Sequence, residues 1–368
     1  VKPAPARSAA AEHPTSASRT AAAVEAYYPW FDWLRGVLAI AVMLGHDGIV
    51  AWSRQANFAV QVFFALSGWL IGTVLLHTRR PDLPRFYFNR AVRIWVPYYI
   101  ALCLLLGASL LRDPVTSKWL EFVLYKATFV YNLFGTPQLA THVAQMPLQG
   151  TGNHFWSVNA EEQFYLLAPL LLVVAAPALG RTRATWLVLS AITWVIGLGT
   201  SITFGVTAAV FAFRDETLFR RPIARAVLAV ALIASALGLA TDRFYDQLAP
   251  IASICIVLLL SQPGPRARLG AVAGGMSYPL YLNHWIGVYV AHAALRPFGL
   301  RDSLLSHVVS VVLNIGLAVG LYLYVERPLL DRRRQWYTPA FGRRAMVAAY
   351  SMIAAGLAFG VVFRLASP

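Results

Sequence analysis

Apolar runs about 20 residues long, the length needed to cross the hydrocarbon core of a bilayer, recur along almost the whole chain. They fall at roughly 31–51, 57–77, 94–111, 156–179, 184–201, 202–214, 222–241, 248–262, 270–295, 303–325 and 343–364. Hydrophobic residues make up 58% of the 368 residues and charged ones only 13%, about half the ~25% of a soluble domain. So few charges cannot cover so much apolar surface in water. Disordered, collagen-like and disulfide-stapled chains are excluded by the same composition, and Cys103 and Cys255 lie in apolar stretches without metal-type spacing. The expected fold class is an all-α polytopic membrane protein.

Arginine placement predicts orientation. Lys and Arg total 31 against 16 Asp and Glu, a net charge of +15. In a soluble protein this excess would suggest nucleic acid; between membrane spans it marks cytoplasmic links, and no nucleic-acid partner is expected. Arg79, Arg80, Arg85, Arg90 and Arg93 place the link before the third span inside, and further basic links alternate with outer ones near 201, 242–248 and 296–302. The two halves agree if 112–155 begins and ends outside, with 119–134, which carries Glu121 and Lys126, a re-entrant or interfacial helix. Residues 1–26, rich in Ala, Ser, Pro and Thr, read as a disordered basic cytoplasmic tail without a cleavable signal. Residues 27–334 then form a ten-helix core, and 335–368 an extra helix ending outside.

Ionisable residues at membrane depth are costly and are therefore candidates for chemistry. Arg35 and His46 are eleven residues apart, close to three helical turns, on one face and ~16 Å apart along the axis. This wall joins an anion-binding group near the cytoplasm to an imidazole near the outer side, with Asp47 beside it. The bland alternative has Arg35 snorkelling to headgroups and His46 packed. In the segment opening at His154, the neighbouring acids Glu161 and Glu162 point ~100° apart. Glu161 is expected at the depth of His46, where a carboxylate could fix the imidazole tautomer, and Glu162 suits an interfacial cap. Ser67 and Gly68 put small residues in mid-span; Gly274 and Gly275 offer a breakable helix start before Tyr278, Tyr281 and His284.

Taken in order, these residues resemble acyltransferase family 3, integral-membrane O-acyltransferases. Asp32-x-x-Arg35-Gly36 followed by His46, Phe63-Phe64-x-Leu66-Ser67-Gly68, and Phe86-x-x-x-Arg90-x-x-Arg93-Ile94-x-x-Pro97-x-Tyr99 are similar to its first three motifs. Trp156-Ser157-x-x-x-Glu161-x-x-Phe164-Tyr165, Ser277-Tyr278-Pro279-x-Tyr281-Leu282-x-His284 and Val325-Glu326-Arg327-Pro328 resemble the rest. Asn89 stands where members often carry a further Arg, and Val158 where Leu is usual. Many members also carry a second, extracytoplasmic domain; a stand-alone core with an added helix is expected here.

The resemblance implies transfer of an acyl group, commonly acetyl, from acyl-CoA as co-substrate to a hydroxyl of a carbohydrate or glycoconjugate, with no metal. A macrolide or other small molecule is the alternative acceptor. Arg90 and Arg93, with Arg35, would bind the CoA phosphates. His46, oriented by Glu161, would act as general base or take the acyl group itself. Asp47, Ser67, Trp156, Tyr281 and His284 are expected at the substrate. The expected location is the cytoplasmic membrane of a bacterium, with the N-terminus inside. A lipid or glycan carrier that moves its cargo without acyl transfer is the competing class.

Overall fold

The computed structural model describes residues 27–175 and 177–366. The expected N-terminal tail, 1–26, lies outside them. The described residues are helical and contain no strand. The longer helices are α1 (Pro29–His46), α2 (Gln55–His77), α3 (Arg80–Leu110) and α4 (Ser117–Ala127), then α5 (Trp156–Pro169). After them come α6 (Arg183–Ile196), α7 (Thr200–Arg214), α8 (Pro222–Leu239), α9 (Tyr245–Leu260), α10 (Arg268–Leu295), α11 (Leu304–Trp336) and α12 (Pro339–Ala366).

Each expected span falls on a helix. Five of the helices, α2, α3, α8, α11 and α12, are long and apolar enough to cross a membrane; α6, α7 and α9 are apolar but have only 14, 15 and 16 residues. The protein is an all-α integral membrane protein. α8 presents Ile223, Val227, Val230, Ile233 and Leu237 outward at helical spacing, a stripe suited to lipid. α2 is the central helix: 67% of its most apolar stretch is buried, against 11% for α8. It packs against α1, α7 and α9, while α10 packs on α1 and α11.

Small residues set the tightest crossing. A Cβ on Gly68 would lie 2.2 Å from the Ile202 carbonyl oxygen, and one on Gly205 2.3 Å from that of Ala65. Without side chains at these two positions, the backbones of α2 and α7 touch. Gly36 against Ala273 and Gly274 against Asp32 bring α10 equally close to α1. The expected break at Gly274 is not made: α10 runs without interruption through Pro279, because the glycines serve this close approach.

One further expectation changes. The arginine-rich link is not a loop. α3 begins at Arg80 and contains a π turn over Ala91–Trp95, so Arg90 and Arg93 stand on a helix wall. The segment 119–134 forms α4 and a short turn at Tyr131–Phe134, and residues 135–155 continue in short helical turns. Finally, α12 makes contact with the preceding helices. It packs on α3, α4 and α5, and Tyr350 shares a 2.8 Å hydrogen bond with Tyr87 and donates to the Leu166 carbonyl at 3.0 Å.

Candidate active site

Helices α1, α5 and α10 carry most of the site, and α2 and α3 add Ser67, Arg90 and Arg93. α1 and α10 run from the Arg35 end of the site toward His46 and His284; α5 runs back from His154 toward Tyr165.

At one end is a cavity of about 280 Å³, lined by Arg35 from α1, Ser67 from α2, Arg90 and Arg93 from α3, Glu161 and Tyr165 from α5, and Tyr278 and Tyr281 from α10. This volume is near the lower limit for small-molecule pockets, ~300 Å³, so the cavity accommodates an extended arm better than a bulky ligand. Arg35 is paired with Asp32 at 3.1 Å. Arg90 and Arg93 form no ion pair among the described residues. The Arg90 guanidinium instead lies 5.8 and 5.7 Å from the rings of Phe86 and Tyr165, with its Nε buried and without a hydrogen-bond partner. Three guanidinium groups against one lining carboxylate leave a net positive cavity, suited to an anion.

The other end is a cluster of three imidazoles. His46 Nδ1 is 2.9 Å from His284 Nε2, and the two rings lie nearly parallel, at 16°, with centroids 5.0 Å apart. His154 lies 4.5 Å from His284 and 5.9 Å from His46, centroid to centroid. His154 and His284 are buried, whereas His46 is exposed at the end of α1. Tyr281 belongs to both ends. It lines the cavity, and its hydroxyl donates to the His154 carbonyl at 2.8 Å and lies 2.5 Å from Ser157 Oγ.

The expected Glu161–His46 pairing is not made. Glu161 accepts hydrogen bonds from Ser67 and Tyr165. It lies seven residues beyond His154, ~10 Å along the axis, so the start of α5, and not its second turn, reaches the level of His46. Its neighbour Glu162 is no interfacial cap. It is buried and accepts from Trp95 Nε1 at 2.9 Å. Ser67 and Tyr281 do reach the cavity; Trp156 does not line it and packs edge-on against Phe64. Asp47 is buried, its Oδ1 3.4 Å from His307 Nδ1, away from the cavity lining. His46 is likewise absent from that lining, so Arg35 and His46 mark the two ends of the site and do not face one chamber. His154 has no expected role in the sequence, although its place beside the Trp156-Ser157 motif is a usable signal. Among the described residues no group of His, Cys, Asp and Glu could hold a metal ion.

A helical membrane protein with a cationic cavity beside an imidazole cluster has the parts of a membrane-embedded group-transfer enzyme. The chain belongs to acyltransferase family 3: the family's acyltransferase domain matches residues 28–323. It is similar to BcsY of Komagataeibacter xylinus, named as a membrane-bound transacylase, with 26% identity covering 89% of this chain and 90% of that protein. It is also similar to the O-acetyltransferase OatA of Staphylococcus aureus, 29% identical over 40% of this chain and 25% of OatA. The peptidoglycan O-acetyltransferase OatA of Listeria monocytogenes is 28% identical over 40% of this chain and 24% of that protein. The matched part is thus about a quarter of each OatA. No solved structure matches the chain.

Proposed function

We propose that the protein is an O-acyltransferase that moves an acyl group, most simply acetyl, from cytoplasmic acyl-CoA to a carbohydrate hydroxyl on the opposite side of the membrane. The observation that carries this reading is the cavity whose Arg90 and Arg93 lack carboxylate partners among the described residues and which shares Tyr281 with the histidine cluster. Phosphates of the donor bind at Arg90 and Arg93, assisted by Arg35. The pantetheine arm extends along the cavity and past Tyr281, bringing the thioester toward His46. The basic residues on the Arg35 side support a cytoplasmic donor entrance and a cytoplasmic N-terminus. The acceptor class rests on the Listeria monocytogenes relative, which is named a peptidoglycan O-acetyltransferase.

In the chemical step His46 Nε2 takes the proton of the acceptor hydroxyl, and the oxygen attacks the thioester carbonyl carbon. The C–O bond forms, the C–S bond breaks, and the departing thiolate takes the proton back from the imidazolium. Glu161 acts at the donor end, holding Ser67 and Tyr165 at the cavity wall.

The test uses the purified full chain in lipid nanodiscs with acetyl-CoA, with and without glycan oligomers, following thiol release and acylated product. Acceptor-dependent thiol release that is lost in a folded His46→Ala variant is expected. Undiminished transfer in that variant refutes the role of His46. Movement of a glycan across the bilayer without CoA consumption favours a carrier.

A further inference from the structure

The imidazole cluster has a direction. His284 Nδ1 lies 2.9 Å from the backbone carbonyl of Tyr281. A carbonyl oxygen can only accept, so Nδ1 carries a proton and donates it. His284 is buried, and its hydrogen bonds reach backbone carbonyls and His46 but no carboxylate. A buried cation without an acidic partner is strongly disfavoured, so the ring is neutral and holds only the Nδ1 proton. Its Nε2 is then a lone pair, the acceptor for His46 Nδ1 at 2.9 Å. His46 must therefore carry its own proton on Nδ1, which leaves Nε2 bare in the neutral imidazole.

The surroundings support the same polarity. His154 Nε2 is 3.3 Å from the Leu282 carbonyl, so that ring too donates to backbone. The Tyr281 hydroxyl in turn donates to the His154 carbonyl. The two buried rings are each anchored to a main-chain oxygen of α10, and His46 alone is exposed.

We infer that His284 is a positioning residue: through the His46–His284 hydrogen bond it holds His46 in the Nδ1–H tautomer, with Nε2 bare and available to a hydroxyl group on the exposed side. A backbone carbonyl, relayed through a second imidazole, does the orienting that a carboxylate does in other histidine-based sites. The catalytic part of this statement rests on the function proposed above; the tautomer does not.

The primary test is nitrogen NMR of the full chain in nanodiscs labelled with ¹⁵N-histidine, with the His46 resonances assigned by comparison with His46→Gln. A protonated Nδ1 and an unprotonated Nε2 on His46 are expected. The opposite tautomer overturns the inference, whatever the enzyme does. The second test is kinetic. His284→Leu removes the acceptor and should lower kcat by ~10²–10⁴-fold, the usual contribution of a positioned base, with the KM for acyl-CoA little changed. His284→Gln, whose amide oxygen can take the place of Nε2, should recover most of kcat. Equal loss in both variants would show that His284 fills space and does not select a tautomer. The expected tautomer in a protein that transfers no acyl group from any donor would instead remove the proposed function and leave the hydrogen-bond polarity standing.

Discussion

Gly68→Ala and Gly316→Ala are the same substitution on two helices, and they should have opposite signs. At Gly68 the added methyl would sit 2.2 Å from the Ile202 carbonyl oxygen and 3.1 Å from Gly205 Cα. Ordinary C···O contacts are ~3.3–3.6 Å, so α2 and α7 must separate by roughly 1 Å. A gap of that size forfeits a quarter to a half of the dispersion energy along the crossing, and overpacking of this kind costs ~1–3 kcal/mol. The gain in helix propensity returns at most about 1 kcal/mol, so a net loss of about 1–2 kcal/mol is expected. At Gly316 a Cβ meets nothing within 4 Å, and only the propensity gain of up to ~1 kcal/mol remains. Unfolding can be read in detergent by thiol-dye labelling of buried Cys255, after exposed Cys103 is replaced by Ser. Gly68→Ala should melt several degrees lower than its parent, and Gly316→Ala at the same temperature or slightly higher. If both shift equally, or Gly68→Ala is neutral, close backbone contact does not set this crossing.

Arg90→Gln should raise the KM for acyl-CoA by roughly 10–100-fold, the value of a charged hydrogen bond, and leave the acceptor KM nearly unchanged; initial rates over both substrates check this. Gly356→Leu should lift α12 from the core, since even a Cβ there lies 2.4 Å from Thr128 Oγ1; faster protease cleavage near Thr338 is the readout. Lys126, on α4 outside the candidate spans, is pulled by burial down to about 7. The unfolded chain then holds the extra proton between that value and ~10.4, so this group's contribution to stability rises with pH across that window and is already lost once pH has fallen to about 7. Wild type should therefore gain thermal stability relative to Lys126→Met on going from pH 6.5 to 9, and a flat difference would contradict it.

Much of the helix layout was legible, because a membrane span leaves a long apolar run and little else in a sequence does. Where the reading failed, burial and azimuth were responsible. Counting arginines assigns each to water, yet Arg90 is held against Phe86 and Tyr165 inside the helix packing. Depth along a helix suggested that Glu161 could meet His46, but depth does not say which helix stands opposite. α5 turns Glu161 toward Ser67 on α2, and α10 supplies His284 in its place. Short turns such as 135–155 carry no periodicity, so the approach of His154 to the cluster is signalled only by the Trp156-Ser157 motif that follows it.

The division of the site into two ends follows from the chemistry that each end must tolerate. Guanidinium groups without carboxylates are costly in a low-dielectric interior, and the cavity tolerates Arg90 by placing it over aromatic rings and Arg35 by pairing it with Asp32. The imidazole end is built differently. Among the described residues His46 hydrogen-bonds to His284 and to no carboxylate, and His284 is bound in turn to a backbone carbonyl, so the contact adds no charge. Glu161 stands instead at the cationic end, hydrogen-bonded to Ser67 and Tyr165. Tyr281 connects the two ends through uncharged hydrogen bonds, so the imidazole cluster stays apart from the arginine field.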